Sequence, residues 1–433
     1  MNDTNEPGKV NELLERRQRL LGSGSPLFYD NPLHLVRGEG VWLYDADGRR
    51  YLDAYNNVPH VGHCHPRVVD ALCQQARTLN THTRYLHRNI LDYGERLTAT
   101  FDDSLSMLML ACTGSEANEI AIRMARRCSG NMGIIATNFA YHGNTTTVAT
   151  ISSVFTPAKE RGPYVRTIPA PDSYRVPAGF PAGDLAAAYA KTVQAAIDSL
   201  EADGVGVAAM LVDTIYSSEG LPDVPAGYVA DAVRRVRAAG GFFIADEVQP
   251  GFGRMGDHMW GYQHHGVVPD IVTLGKPMGN GHPISGVVAR RELVTEFGES
   301  TMYFNTFGGN PVSCAAAAAV LDVLEDEQLV ENARVVGDYV LAGLRSLQKR
   351  HDIIGDVRGR GLFFATELVT DRATQAPATA VAKRIVNAMR DKGVLISKIG
   401  VHDNVLKMRP PMPFSREHAE LLLGTLDECL TEL

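Results

Sequence analysis

What most constrains this chain is a rhythm: from about residue 66 to 290, segments with helical spacing alternate with short apolar runs. The runs are MLML (107–110), GIIAT (133–137), AAMLVD (208–213), GFFIADE (241–247), DIVTLG (270–275) and SGVVAR (285–290). Strands that stay apolar along their whole length are covered on both faces, so the pattern predicts an α/β fold with a mostly parallel sheet between helices. At 433 residues the chain exceeds the roughly 250–300 residues at which one core stops growing, so at least two lobes are expected. Residues 10–20 have helical charge and leucine spacing and then meet Gly22, Gly24 and Pro26, which predicts an N-terminal arm. VWLYDADGRRYLDAY (41–55) reads as a hairpin turning at Asp47-Gly48. After Asn310-Pro311 the Ala-rich stretch 314–327 opens a long helix that can pack closely, and GLFFATEL (361–368) and VLKMR (405–409) are further strand candidates. The expected division is 1–60 for the arm and hairpin, contributing to the smaller lobe, 61–310 for the large lobe, and 311–433 for the smaller α+β lobe.

Forty-two Lys+Arg against fifty Asp+Glu leave a net charge of -8, with no long run of either sign, which disfavours nucleic acid as a partner. No stretch approaches the ~20 apolar residues of a membrane span, and the polar MNDTNEPGKVNELLERRQ does not resemble a secretory signal, so no membrane partner and a cytoplasmic location are expected. The six cysteines lack CxxC spacing, which suggests neither zinc nor disulfides. His63 and His65 in GHCHP lack further ligands at suitable spacing, so no metal is expected; they read instead as caps of a helix starting at Pro66.

The chemistry starts at Asp246, at the carboxyl end of the apolar run FFIA. In an open parallel sheet, ligands bind outside the carboxyl ends of the strands, so an acid there faces the site. Lys276 follows the next buried-looking strand in TLGKPMGNG, where few routes lead to solvent. Desolvation lowers an amine toward a usable nucleophile or base. An acid and a lysine at consecutive strand ends suit pyridoxal phosphate, the lysine holding the aldehyde and the carboxylate keeping the pyridine nitrogen protonated. A phosphate cradle is available in ACTGSEANEIAIRMARR (111–127), where a strand ends at Thr113-Gly114-Ser115 and a helix begins at once. Either Tyr141 or His142, in FAYHGNT, could stack on the pyridine ring.

TGSEANEIAIRMAR, YHGNT, ADEVQPGFGRMG, LGKPMGNGHPISG and FNTFGGNP, in this order and spacing, resemble the class III aminotransferase group of pyridoxal-phosphate enzymes, of aspartate-aminotransferase-like fold (fold type I). The resemblance runs from about residue 30 to 430. It implies that Lys276 is the Schiff-base lysine, Asp246 the pyridinium partner, Gly114 and Ser115 the phosphate cradle, and Tyr141 the stacking aromatic. Val248 and Gln249 would lie close to the other side of the ring. Thr306 matches a position that reaches the phosphate of the neighbouring subunit, so a homodimer with shared active sites is implied.

Which reaction the cofactor runs depends on what the protein binds beyond it. LDAYNNVPHVGHCHPRVV (52–69) and NTHTRYLHRNI (80–90) resemble the phospho-lyase branch of class III, whose members cleave ethanolamine phosphate or phosphohydroxylysine. These segments concentrate Asn56, His60, His82, Arg84, His87 and Arg88. Planar guanidinium donors suit a phosphate dianion, which makes Arg84, and Arg409 in KMRPP, candidates for holding the leaving phosphate, with Asn56 a further substrate contact. Many class III aminotransferases carry a Glu-Pro pair and a second, gating Glu where this chain reads VDTIYSSEG (212–220), with Asp213-Thr214 and Ser218 at those positions and Glu219 adjacent. The expectation is a phospho-lyase acting on a β-phosphorylated primary amine. The rivals are an aminotransferase of ω-amines or amino acids, and a catalytically silent protein that keeps the fold.

Overall fold

The computed structural model describes residues 7–181 and 183–433. Helix α1 (Pro7–Leu21) stops at the glycine-rich break, and β1 (Leu35–Glu39), β2 (Trp42–Asp45) and β3 (Arg50–Asp53) form an antiparallel ribbon. The hairpin falls at Asp47-Gly48, with Leu43 opposite Tyr51 and Gly48 at φ +82°, a conformation open to a residue without Cβ. Helices α2 (Pro66–Thr78) and α3 (Arg88–Thr98) follow. His65 occupies the N-cap position of α2, but its side chain does not cap: the long imidazole swings out to Glu327, Nε2 to Oε1 3.0 Å. His63 turns instead to Asp53, 2.7 Å away, so the capping role expected of this pair is not found.

The large sheet is made by β4 (Met107–Ala111), β5 (Gly133–Thr137), β6 (Val165–Ile168), β7 (Val207–Asp213), β8 (Phe242–Asp246), β9 (Ile271–Leu274) and β10 (Ser285–Ala289). Its order is β4-β10-β9-β8-β7-β5-β6, parallel except for β10, which runs against both its neighbours. The intervening helices are α4 (Gly114–Ser129), α5 (Thr146–Ile151), α6 (Leu185–Ala202), α7 (Tyr228–Ala238) and α8 (Arg291–Ser300). Strand alternation sorts the core: Phe243 and Ala245 pack with Val193 of α6 and Val233 of α7, while Ile244 between them packs with Ile120 and Met124 of α4. Both faces of the sheet are therefore dry, which is why its strands are apolar throughout.

The C-terminal part comprises α9 (Pro311–Asp326), α10 (Leu329–Arg350), β11 (Ile354–Arg360), β12 (Phe363–Asp371), β13 (Ala376–Pro377), α11 (Thr379–Asp391), β14 (Val394–Leu395), β15 (Ser397–Ile399), β16 (Val405–Met408) and α12 (Arg416–Thr431). Strand β14 pairs in parallel with β3, Val394 opposite Leu52, so the N-terminal ribbon is stitched to this part of the chain. The buried guanidinium of Arg254, from the loop after β8, donates to the carbonyls of Leu362 (3.1 Å) and Pro410 (2.7 Å). That clamp fixes the end of β16 against the large sheet, beside the carboxyl ends of β7, β8 and β9.

Candidate active site

A cavity of about 330 Å³ opens at those strand ends, lined by Gly114, Ser115, Tyr141, His142, Asp213, Asp246, Val248, Gln249 and Lys276. Parallel pairing explains the convergence. Asp213 faces Asp246 across β7 and β8, and β9 delivers Lys276 two residues beyond its last member.

At one wall, Thr113 caps α4 by accepting from the Glu116 N–H (3.2 Å), while the Glu116 carboxylate accepts from Thr113 N (2.9 Å) and Cys112 N (2.8 Å). This capping box uses the third N–H of the helix and leaves those of Gly114 and Ser115, with the Ser115 hydroxyl, facing the cavity. Such an end favours a dianion. The chain passes so close that a Cβ on Gly143 would sit 2.8 Å from Ser115 Cα; its φ of +142° also requires glycine.

At the floor, the Asp246 carboxylate accepts from Val248 N (3.1 Å), Asn118 Nδ2 (3.0 Å) and His142 Nδ1 (2.8 Å). A carboxylate offers about four acceptor positions, so one remains for a ligand N–H. Asn118 is itself oriented by Thr273 of β9, whose hydroxyl donates to Oδ1 at 2.7 Å. His142 is thus an orienting neighbour of Asp246, whereas Tyr141 lies in the cavity wall with its ring edge-on to Phe155. Glu247 turns away: its carboxylate accepts from Thr214 Oγ1, Gly261 N and Tyr262 N, and burial pushes it up to about 7.

Lys276 has no hydrogen-bond partner among the described residues. Burial, reinforced by the neighbouring Arg409 cation, draws its ammonium down to about 8, against the pull of Asp246 and Asp213. An amine so placed alternates between neutral and charged forms near physiological pH, as a nucleophile and base must.

Beyond Lys276 a polar chain runs into the protein. The Ser217 hydroxyl donates to Asp213 and accepts from the Gln249 amide, and Gln249 Oε1 accepts from Arg409, whose Nε donates to the Tyr55 carbonyl at 3.0 Å. Lys407, 4% exposed, donates to the Ser217 carbonyl at 3.1 Å. Burial raises Asp213, and raises Glu219, held by the Thr137 hydroxyl, to about 7. Lys407 and Ser217 were not foreseen. The one available signal was spacing, since Lys407 in β16 and Arg409 just past its end stand two residues apart, the period of one strand face.

Of the remaining expected residues, Arg409 stands one side chain behind the cavity wall, through Gln249. Asn56 accepts from Val58 N at 3.1 Å and faces a separate apolar pocket beside Tyr55. Arg84 is exposed, its guanidinium 4.0 Å from the centre of the Phe304 ring, and Thr306 is exposed on the neighbouring segment. None of these last three lines the cavity of its own chain.

The family model "Aminotransferase class-III" matches residues 28–430. A Drosophila melanogaster protein named alanine–glyoxylate aminotransferase 2-like is 43% identical, over 97% of this chain and 87% of that protein. The Caenorhabditis elegans ethanolamine-phosphate phospho-lyase homolog 1 is 37% identical, over 97% and 93%. Among solved structures, a phospholyase from Arthrobacter in complex with phosphoethanolamine superposes with a TM-score of 0.94 at 50% identity, covering 97% of this chain and all of the other. Pyridoxal phosphate, the cofactor of this family, fits the residues present: free helix N–H groups for its phosphate, a spare carboxylate acceptor for its pyridine N–H, and an unpartnered amine for its aldehyde. With its fold, strand-end acid and lysine, and matched length in agreement, this chain belongs to the class III aminotransferase family of pyridoxal-phosphate enzymes.

Proposed function

We propose that the chain is a cytoplasmic, homodimeric phospho-lyase that eliminates phosphate from a β-phosphorylated primary amine such as ethanolamine phosphate. The observation that carries this reading is Arg409: a buried guanidinium one side chain behind the cavity wall, whose side-chain hydrogen-bond partner among the described residues is the neutral amide of Gln249 and not a gating carboxylate. A cation so held is open to an incoming dianion without first breaking an ion pair. The likeness to proteins named for phospho-lyase activity supports it.

Bound pyridoxal phosphate supplies an electron sink for the carbon bearing the substrate nitrogen. Lys276 takes the proton from that carbon; Asp246, steadied by His142 and Asn118, keeps the ring nitrogen positive. The adjacent C–O bond then breaks with its electron pair leaving on phosphate, which Arg409 receives. The released enamine takes up water to give aldehyde and ammonia.

Shared sites follow from Arg84 and Thr306, which lie on touching exposed segments together with the exposed apolar side chains of Leu86, Met302 and Phe307. Such a patch favours a second copy, which would bring both polar residues to the neighbouring cavity.

Purified holoenzyme given ethanolamine phosphate and no keto acid should yield phosphate, acetaldehyde and ammonia in equal amounts. No phosphate from ethanolamine phosphate or phosphohydroxylysine overturns the proposal. The second reading, an aminotransferase, is favoured by the 43% identity to a protein named for that activity. It predicts amine turnover that depends on an added keto acid.

A further inference from the structure

Arg409 is seated on a turn of the N-terminal ribbon that the cofactor contacts leave without a task. At the end of β3, the buried Asp53 carboxylate accepts from Tyr55 N (3.1 Å) and Asn56 N (2.9 Å) through Oδ1, and meets His63 Nε2 (2.7 Å) through Oδ2. The turn so fixed presents two carbonyls to the arginine: Ala54 O accepts from Arg409 N (2.8 Å) and Tyr55 O from Arg409 Nε (3.0 Å). The guanidinium also lies over the Tyr55 ring, 4.8 Å from its centre, and stands 5.8 Å from the centre of the Phe363 ring. Its Nη1 donates to the Gln249 amide oxygen. Tyr55 is met in turn by Phe28, from the segment before β1, with ring centres 5.0 Å apart and planes at 69°. Phe28 is itself 66% exposed, so its contact with Tyr55 is not a demand of the core.

Each of these partners of the guanidinium is uncharged. An aromatic face and a carbonyl dipole attract a cation without cancelling its charge, whereas a carboxylate partner would have to be displaced by the incoming anion. Holding the flat fork in one orientation also removes beforehand part of the rotamer freedom that gripping a phosphate would otherwise cost. We propose that Tyr55 is the positioning residue for Arg409: its ring and carbonyl hold the guanidinium in place for the phosphate of the substrate, and so set the preference for a phosphorylated amine. The proposal deepens the phospho-lyase reading and rests on it. The electrostatic neighbourhood agrees: burial disfavours the charge of Arg409, and the Tyr55 side chain is first among the neighbours that favour it. Phe28 braces the ring, so a residue of the N-terminal arm shares in the selectivity. His63, unused as a helix cap, serves the same turn through Asp53.

The test compares Tyr55→Leu, which keeps apolar bulk and the carbonyl but loses the ring, with Tyr55→Phe, which keeps the ring. With holoenzyme, Tyr55→Leu should raise KM for ethanolamine phosphate by about fivefold or more, with a smaller effect on kcat. The ratio of kcat/KM for the phosphorylated amine over that for an unphosphorylated one should fall by a similar factor, and Tyr55→Phe should restore most of it. A smaller rise in KM, equal losses on both amines, or a loss in Tyr55→Phe as large as in Tyr55→Leu overturns the proposal. Calorimetric binding of inorganic phosphate to the holoenzyme tests the tyrosine apart from turnover. Weakening of about fivefold or more in Tyr55→Leu is expected even if the parent releases no phosphate, a result that would refute the phospho-lyase reading alone. Weaker effects on that binding, or no binding to the parent, overturn the tyrosine's role. Should Tyr55→Leu fail to fold, Phe28→Ala at its exposed position replaces it. A rise in KM of about threefold or more confined to the phosphorylated amine then supports the proposal, and a smaller rise or an equal one on both amines overturns it.

Discussion

Replacing Lys276 by methionine should stabilise the cofactor-free protein while abolishing turnover. In the folded chain the Lys276 ammonium loses its proton near pH 8, against 10.5 for an ordinary lysine, because burial and then Arg409 disfavour its charge. At about 1.4 kcal/mol per tenfold, that gap makes the charged amine cost roughly 3 kcal/mol of folding free energy. The folded value lies below the unfolded one, so the unfolded chain binds more protons between pH 8 and 10.5. Stability therefore rises with pH across that window, and the penalty is complete below it. Methionine has a similar unbranched length and no charge, so it removes the penalty and leaves the packing of the flexible stem largely intact. Urea unfolding of the cofactor-free variant at pH 7 should show a gain of about 2–3 kcal/mol at unchanged m-value, shrinking toward zero by about pH 10.5. Equal or lower stability at pH 7, or a gain independent of pH, would refute the argument that the lysine is held against its own ionisation.

Asp246→Asn removes the charge facing the pyridine nitrogen and sets an NH2 group against the Val248, Asn118 or His142 donors; turnover should fall by about 10²–10³, with kcat as the measurement. Gly143→Ala forces a Cβ against Ser115 at a φ that side chains avoid, so it should cost about 1–3 kcal/mol and weaken retention of the cofactor, read by its dissociation constant and the melting temperature. Arg409→Gln should raise KM for ethanolamine phosphate by about tenfold or more and spare unphosphorylated amines. Arg84→Ala should show the same selective loss if the second subunit carries it into the site; an equal loss on both amines would make it an interface residue only.

The parts of the site that were legible in the sequence are those dictated by single strands. FFIA needs both faces covered, so its end must open at the sheet's carboxyl edge, and Asp246 had no other place to go. Lys276 and the Gly114 turn follow by the same logic from β9 and β4. Six strands escaped notice, β1, β6, β11, β13, β14 and β15; β13 to β15 are only two or three residues long, β11 (IGDVRGR) carries two glycines and three charges, and β6 is a four-residue edge strand with polar Arg166 and Thr167 in its middle. Ser217 was invisible because its role depends on a turn in which Tyr216 takes φ +52°, bringing one hydroxyl between Asp213 and Gln249. Asn56, Arg84 and Thr306 mark a different limit. Residue type for Arg84 and the family resemblance for Thr306 implied anion contacts, but the cavity such contacts serve is set by tertiary placement, and none of the three lines the one in its own chain.

That contrast separates two layers of the site. The contacts that suit the cofactor are each made by a strand end or a helix start, and they would serve any reaction that begins with loss of the same proton. The choice between elimination and transamination must therefore lie in groups that distinguish a dianionic leaving group from a carboxylate. In this chain the polar side chains beyond the cofactor contacts form one hydrogen-bonded run, Asp213, Ser217, Gln249 and Arg409, with the neutral glutamine standing between the arginine and the cavity. Exchanging a carboxylate for an amide at such a contact changes charge balance more than shape. Relatives named for either activity match this chain over nearly its whole length, so the shared fold alone does not select the reaction.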